Sequence, residues 1–233
     1  LPVEEGRGFA RLPAPHRADL FFDLEGDPFA LGGSLEYLWG VHYRDRSGGA
    51  QFRFELAHDR AAERAAFETM VDWFAAHLAA NPGAHIYHYA AYEVSVLRRL
   101  STHYATREAA VDDLLRGEKL VDLYAVARAA IRTSEPNLSL KTLEIFFAAK
   151  REEAVKDGGQ SIVEYHRWQE TGEAALLDAI IDYNRVDCEN TEGLRDWLLT
   201  LRPDLPWWER AAQPPDADKS EERAAGEAER EAL

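Results

Sequence analysis

Asp23 and Glu25 stand two apart in the run Phe21-Phe22-Asp23-Leu24-Glu25, which has the apolar and aromatic content of a strand. A strand's period of two puts both carboxylates on one face and Leu24 on the other. Two like charges side by side in such a strand are costly unless a cation or hydrogen bonds compensate them. A hard divalent ion, Mg2+ or Mn2+, is the plainest compensator, because it selects carboxylate oxygens. The competing reading ends the strand at Asp23 and makes Glu25-Gly26-Asp27-Pro28 an exposed turn.

Two further groups have suitable chemistry. Tyr183 and Asp187 are four residues apart, one turn along one face of a late helix. A tyrosine there could hold a water for attack on phosphorus; the plainer alternative is a half-buried tyrosine beside an exposed acid. Glu93, in Tyr87-His88-Tyr89-Ala90-Ala91-Tyr92-Glu93, falls at a strand-to-helix junction, where open α/β sheets carry functional side chains. Its alternative is a first-turn acid favourable to the helix dipole. His85 and His88 read as structural hydrogen-bonding residues, and Cys188, on an apolar helix face, as packing.

The elements that position these groups follow from periodicity. Three apolar runs within residues 18–57 predict a three-strand meander. A helix over 60–80 follows, with Phe67, Met70, Val71, Phe74 and Leu78 at helical spacing and a stop at Asn81-Pro82-Gly83. Residues 84–90 predict a fourth strand, Val94 to Leu100 a helix, and residues 118–124 a fifth short strand. Loops are expected around 133–137 and 151–161, and a last helix over 173–201. Its stripe of Leu177, Ile180, Ile181, Cys188, Leu194 and Leu198 should face the sheet. The pattern predicts an α/β fold with a mixed sheet of about five strands flanked by helices. The expected division is a linker at 1–18, a domain at 19–202 and an acidic tail at 203–233.

The 233 residues carry 42 Asp+Glu against 27 Lys+Arg, a net charge of -15, and 46% are hydrophobic. The apolar content is enough for a core, and the length fits one large domain with appendages. One cysteine excludes a disulfide scaffold and favours a cytoplasmic setting. No apolar run approaches the roughly 18 residues of a membrane span. The start at Leu1, with Met70 the sole methionine, suggests a piece of a longer protein. Residues 211–233 contribute -4, leaving -11 on the rest. That surplus argues against tight nonspecific nucleic-acid binding without metal.

The ordered set of D-x-E, a third acid after the fourth strand, and Y-x3-D on a late helix resembles the DEDD superfamily of 3'-5' exonucleases, which share the ribonuclease H-like fold. "YNRVD" resembles the tyrosine subgroup, since the histidine form needs histidine at 182, which is Asp182. The closer likeness is to the YprB-like, ribonuclease H-like domain of RecB-like nucleases, carried by "FFDLEGDP", "YHYAAYE", "LVDLY", "LSLKTLE", "SIVEYHRW" and "YNRVDCENTEGLRDWL". It covers about residues 19–202.

The resemblance implies that Asp23, Glu25, Glu93 and Asp187 ligate two ions, Mg2+ or Mn2+, and that Tyr183 helps position the attacking water. Glu93 departs from the aspartate usual in the wider superfamily. The implied substrate is single-stranded DNA or RNA, and the implied partners are neighbouring nuclease or helicase-type domains. Lys141 and Arg185 are candidates for guiding the strand, with Arg98 and Arg99 reading more plainly as solvated bases. Tyr92, Phe29 and Tyr89 are candidates for base stacking, although at least two of the three are expected in the core. Rivals are a ribonuclease H-like binding module without catalysis and a hydrolase of small phosphoesters. Trp207 and Trp208 either cover the domain edge or belong to an interface.

Overall fold

The computed structural model describes residues 6–148 and 158–209. The meander forms as β1 (Leu20–Asp27), β2 (Leu35–Arg44) and β3 (Ala50–Leu56), with β1 antiparallel to β2 and β2 to β3. β4 (Ile86–His88) lies parallel to β1, and β5 (Leu120–Asp122) parallel to β4. The sheet order is β3-β2-β1-β4-β5, so the acid-bearing β1 is the central strand. The fold is the mixed five-stranded α/β sheet that the periodicity predicts.

Alternation along β1 divides the interior. Leu20, Phe22 and Leu24 point into a core with Phe67, Met70, Val71 and Phe74 of α1 (Arg60–Ala80), joined by α2 (Tyr92–Tyr104) and α3 (Glu108–Arg116). Phe21 points the other way, into a second core with α4 (Leu123–Ala130), α5 (Leu140–Leu143) and α7 (Ala174–Leu201). Asp23, Glu25 and Asp27 share the parity of Phe21, so the strand aims its acids at the α7 side.

Local chemistry sets the element ends. The Asp59 side chain accepts from the Ala62 N–H and starts α1. Asp122 does the same for Tyr124 and Ala125, so helix α4 begins where β5 ends; the fifth strand is three residues rather than seven. The loop expected over 151–161 is corrected at its end: Gly158–Ser161 form the first turn of α6 (Gly158–Thr171). Packing overrides the two glycines there, because Ser161 and Tyr165 are fully buried and the Tyr165 ring stacks on Tyr37 at 3.9 Å. The rest of that expected loop lies outside the described residues.

The described parts of both flanks contact the body. Leu12, inside the expected linker, is fully buried in the α4–α7 core. The Trp208 backbone N–H donates to the Leu12 carbonyl, and its indole N–H donates to Glu118. Trp208 thus covers the domain edge, whereas Trp207 is exposed with Arg202 over its ring.

A buried charge pair locks α7 to the sheet. Arg195 Nη1 donates to Asp19 Oδ2 at 2.8 Å, and its guanidinium lies over the rings of Phe21 and Tyr87. Asp19 also accepts from the His16 and His85 backbone N–H groups. Asp19→Ala removes the buried partner of Arg195, leaving it only Asp196 and Glu192, and strips the His16 and His85 N–H groups of their acceptor; it is expected to cost about 3–5 kcal/mol, measured by denaturant unfolding.

Candidate metal centre

Carboxylate oxygens of Asp23, Glu25 and Asp187 lie within 4.8 Å of one another. The first two come from the middle of β1, the third from α7, which crosses the sheet over β1, β2 and β4. The strand continues through Glu25 to Asp27, which removes the alternative of an exposed turn after Asp23. Glu25 is buried, while Asp23 and Asp187 keep part of their surface open. The cluster is therefore partly open to solvent through Asp23 and Asp187.

The electrostatics are those of acids without a counter-charge. Burial, then the charges of Asp187, Glu25 and Glu93, hold the Asp23 carboxyl well above the usual range. Glu25 is pushed up to about 8, chiefly by burial, despite a hydrogen bond from Ser161 that opposes the shift. Tyr183 hydrogen-bonds Asp187, and burial together with the carboxylates Asp187 and Glu25 raises its phenol far above its ordinary value. Tyr183 is thus a neutral hydroxyl, able to orient a ligand by hydrogen bonding but not to act as a base near pH 7.

Glu93 lies outside the group of three. It is buried in the first turn of α2, with Oε2 3.4 Å from His88 Nδ1, and neither atom makes a well-formed hydrogen bond. Its charge still raises the Asp23 and Glu25 carboxyls. Burial raises Glu93 itself, and His88 partly offsets this. His88, which the sequence reading set aside, is thus the residue that faces the third acid.

Two further residues hold the cluster and were missed in the sequence. Asn184 is fully buried and donates from Nδ2 to Asp23 Oδ2 at 2.8 Å. Ser161 links Glu25 to the Tyr37 hydroxyl, which it meets at 2.7 Å. Asn184 fits only because Gly40 is opposite Asp23 in the β1–β2 register: a Cβ at position 40 would overlap the Asn184 carboxamide. Gly40→Val is therefore expected to displace Asn184, lower activity about 10- to 100-fold and destabilise the fold by about 1–3 kcal/mol. Steady-state kinetics and thermal melting check this.

A sequence model described as RNase H superfamily matches residues 20–199. The chain belongs to the RNase H superfamily. No curated protein and no solved structure matches it. The matched span runs from the first residue of β1 almost to the end of α7, and so contains every acid of the centre.

The remaining sequence-selected residues occupy varied places. Tyr92 is 44% exposed, and its hydroxyl donates to Glu36 at 2.6 Å. Arg185 is held by Asp182 and Glu189 on its own helix, so its charge is largely spent there. Arg99 pairs with Glu36, and Lys141 is exposed on the one-turn α5. Tyr89 packs on the second core with Tyr124, whereas Phe29 is 77% exposed in the β1–β2 loop. Cys188 is fully buried, as expected of a packing residue. No described helix is long and apolar enough to cross a membrane.

The donor set fits a hard divalent ion. Three carboxylates converge without a basic side chain among them, and Oε2 of the buried Glu93, whose charge reaches Asp23 and Glu25, makes no well-formed hydrogen bond. RNase H-like nucleases use such ions on nucleic acid, and the cluster has the chemistry to hold one.

Proposed function

We propose that the chain is a metal-dependent 3'-5' exonuclease domain of the tyrosine-bearing DEDD type, closest to the YprB-like domains and acting on single-stranded DNA or RNA. The observation that carries this reading is the convergence of Asp23, Glu25 and Asp187 within 4.8 Å, with the Tyr183 hydroxyl bonded to Asp187.

Asp23, Glu25 and Asp187 would hold Mg2+ or Mn2+, with Glu93 completing a set for two ions. When bound, the ions supply Lewis-acid stabilisation of a phosphodiester and a nucleophile at neutral pH. The protein supplies the rest. Asn184 fixes the Asp23 oxygen that it touches, and Ser161 fixes Glu25. Tyr183 remains protonated, donates its one O–H to Asp187 and offers its oxygen lone pairs to a water, which gives it a positioning task and not proton abstraction. Leu24, buried in the opposite core, keeps β1 from rotating its acids away.

The test is cleavage of 5'-labelled single-stranded DNA and RNA with Mg2+ and with Mn2+. Stepwise shortening from the 3' end is expected. Absence of product with both metals, across several pH values, would exclude the exonuclease reading. The position of Glu93, facing His88 instead of joining the other three acids, favours a second reading: a ribonuclease H-like module that binds nucleic acid without cutting it. Metal-dependent binding without turnover would select that one.

A further inference from the structure

A groove of about 1200 Å3 runs along the sheet edge formed by β5, walled by α4, the N-terminal turn at Gly8–Arg11 and Trp208. Its charged lining is Arg7, Arg11, Arg128 and Arg132 against Glu118 and Asp122. Four arginines against two acids is the reverse of the whole chain, whose net charge is -15.

The two acids are already engaged. Asp122 accepts from the backbone N–H groups of Ala90, Tyr124 and Ala125. Glu118 accepts from the Trp208 indole and lies 3.7 Å from Arg11, which itself stacks over the Trp208 ring at 4.1 Å. Arg128 and Arg132 are exposed, and neither has a carboxylate within ion-pair distance among the described residues. Arg132, just past the end of α4, donates instead to the carbonyls of Arg128 and Ile131, which holds its guanidinium near the helix end that carries Arg128.

The groove reaches the strand-to-helix turn that precedes Glu93. Ala90 and Ala91 line it, Ala91 caps the helix that carries Glu93, and the Asp122 charge acts on Glu93. Aromatic faces are present as well, from Trp208 and Tyr124. A positive groove with stacking surfaces that ends at the turn leading into Glu93 suits a flexible polyanion bearing planar bases.

We infer that this groove holds the uncleaved part of a single-stranded nucleic acid, with Arg128 and Arg132 on its phosphates, while the terminal phosphodiester lies at the carboxylates. The inference rests on the nuclease reading and adds the path of the strand. It also gives the acidic chain a local means of attracting phosphate that its overall charge conceals.

The experiment compares binding of a labelled oligothymidylate about 12 nucleotides long, with Ca2+ in place of Mg2+, to three proteins. These are the wild type, Arg128→Ala/Arg132→Ala, and Arg17→Ala/Arg46→Ala, the last removing the same charge from exposed sites outside the groove. The groove pair is expected to bind about tenfold more weakly, and its slope of log affinity against log salt to shallow by about 1.4, as for two lost phosphate contacts. The control pair should stay within about twofold of wild type. Equal losses in both pairs, or none in either, would overturn the groove assignment while leaving the nuclease reading intact. A wild-type protein that neither binds nor cuts any oligonucleotide would overturn the nuclease reading itself. All four arginines are exposed, so thermal melting should show the variants folded.

Discussion

Asp23→Asn is expected to lower nuclease activity by at least about 10³-fold while raising the melting temperature of the metal-free protein. Both effects come from one charge. Asp23 is opposed by its surroundings, through burial first and then the carboxylates of Asp187, Glu25 and Glu93. Asparagine keeps the size of the side chain and an oxygen that can accept from Asn184 Nδ2. It removes the repulsion and one of the site's anionic ligands together. Losing several kcal/mol of transition-state stabilisation accounts for the rate. A gain in stability with a loss of function identifies a residue retained for chemistry at the expense of the fold. The measurements are single-turnover cleavage and calorimetry with chelator present. A variant within about tenfold of wild-type rate would remove Asp23 from the centre.

The second large effect is a pH dependence that metal reverses. Glu25 is raised from an ordinary value of 4.5 to about 8 in the folded, metal-free protein, chiefly by burial. The folded state therefore keeps a proton that the unfolded chain has already released. Its contribution to stability is fully present below pH 4.5 and is lost as pH rises through 8. Metal-free protein should accordingly melt lower at pH 8 than at pH 6. A divalent cation competes with that proton and takes over the compensation, so Mg2+ or Mn2+ should stabilise more at pH 8 than at pH 6. The expected difference is on the order of a few kcal/mol, or roughly 5–10 °C. Melting curves with and without metal at the two pH values decide it. A metal effect equal at both would mean that the acids do not share a cation.

Much of this was legible from residue spacing, and the exceptions share a cause. Helix α1 runs over 60–80 as its apolar spacing and its Asn-Pro-Gly stop predict, because both signals are local. The D-x-E pair was readable because a strand's period fixes which side chains share a face. Ser161 and Asn184 were not readable. Ser161 follows two glycines that suggest a loop, and it is drawn into a helix by contacts with Tyr37, more than a hundred positions earlier. Asn184 sits between Tyr183 and Asp187 and looks like filler until Gly40, on another strand, is seen to make room for it. Arg185 looked like a guide for the strand, but Asp182 and Glu189, at helical spacing on either side, neutralise it. The arginine groove escaped notice because its members come from the N-terminal turn and from α4, and no local pattern joins them.

The acids of the centre are also separated in time. Asp23 and Glu25 leave the ribosome early, whereas Asp187 belongs to α7, the last helix of the matched span. A nascent chain that has built the sheet still lacks the third carboxylate of the cluster, along with Asn184 and Tyr183. The three carboxylates come together only when α7 docks, which Arg195 and Asp19 secure. Synthesis from the N-terminus therefore delays cleavage competence until nearly the whole domain is complete. The order of its elements thus keeps the acid cluster incomplete until the last helix of the matched span is made.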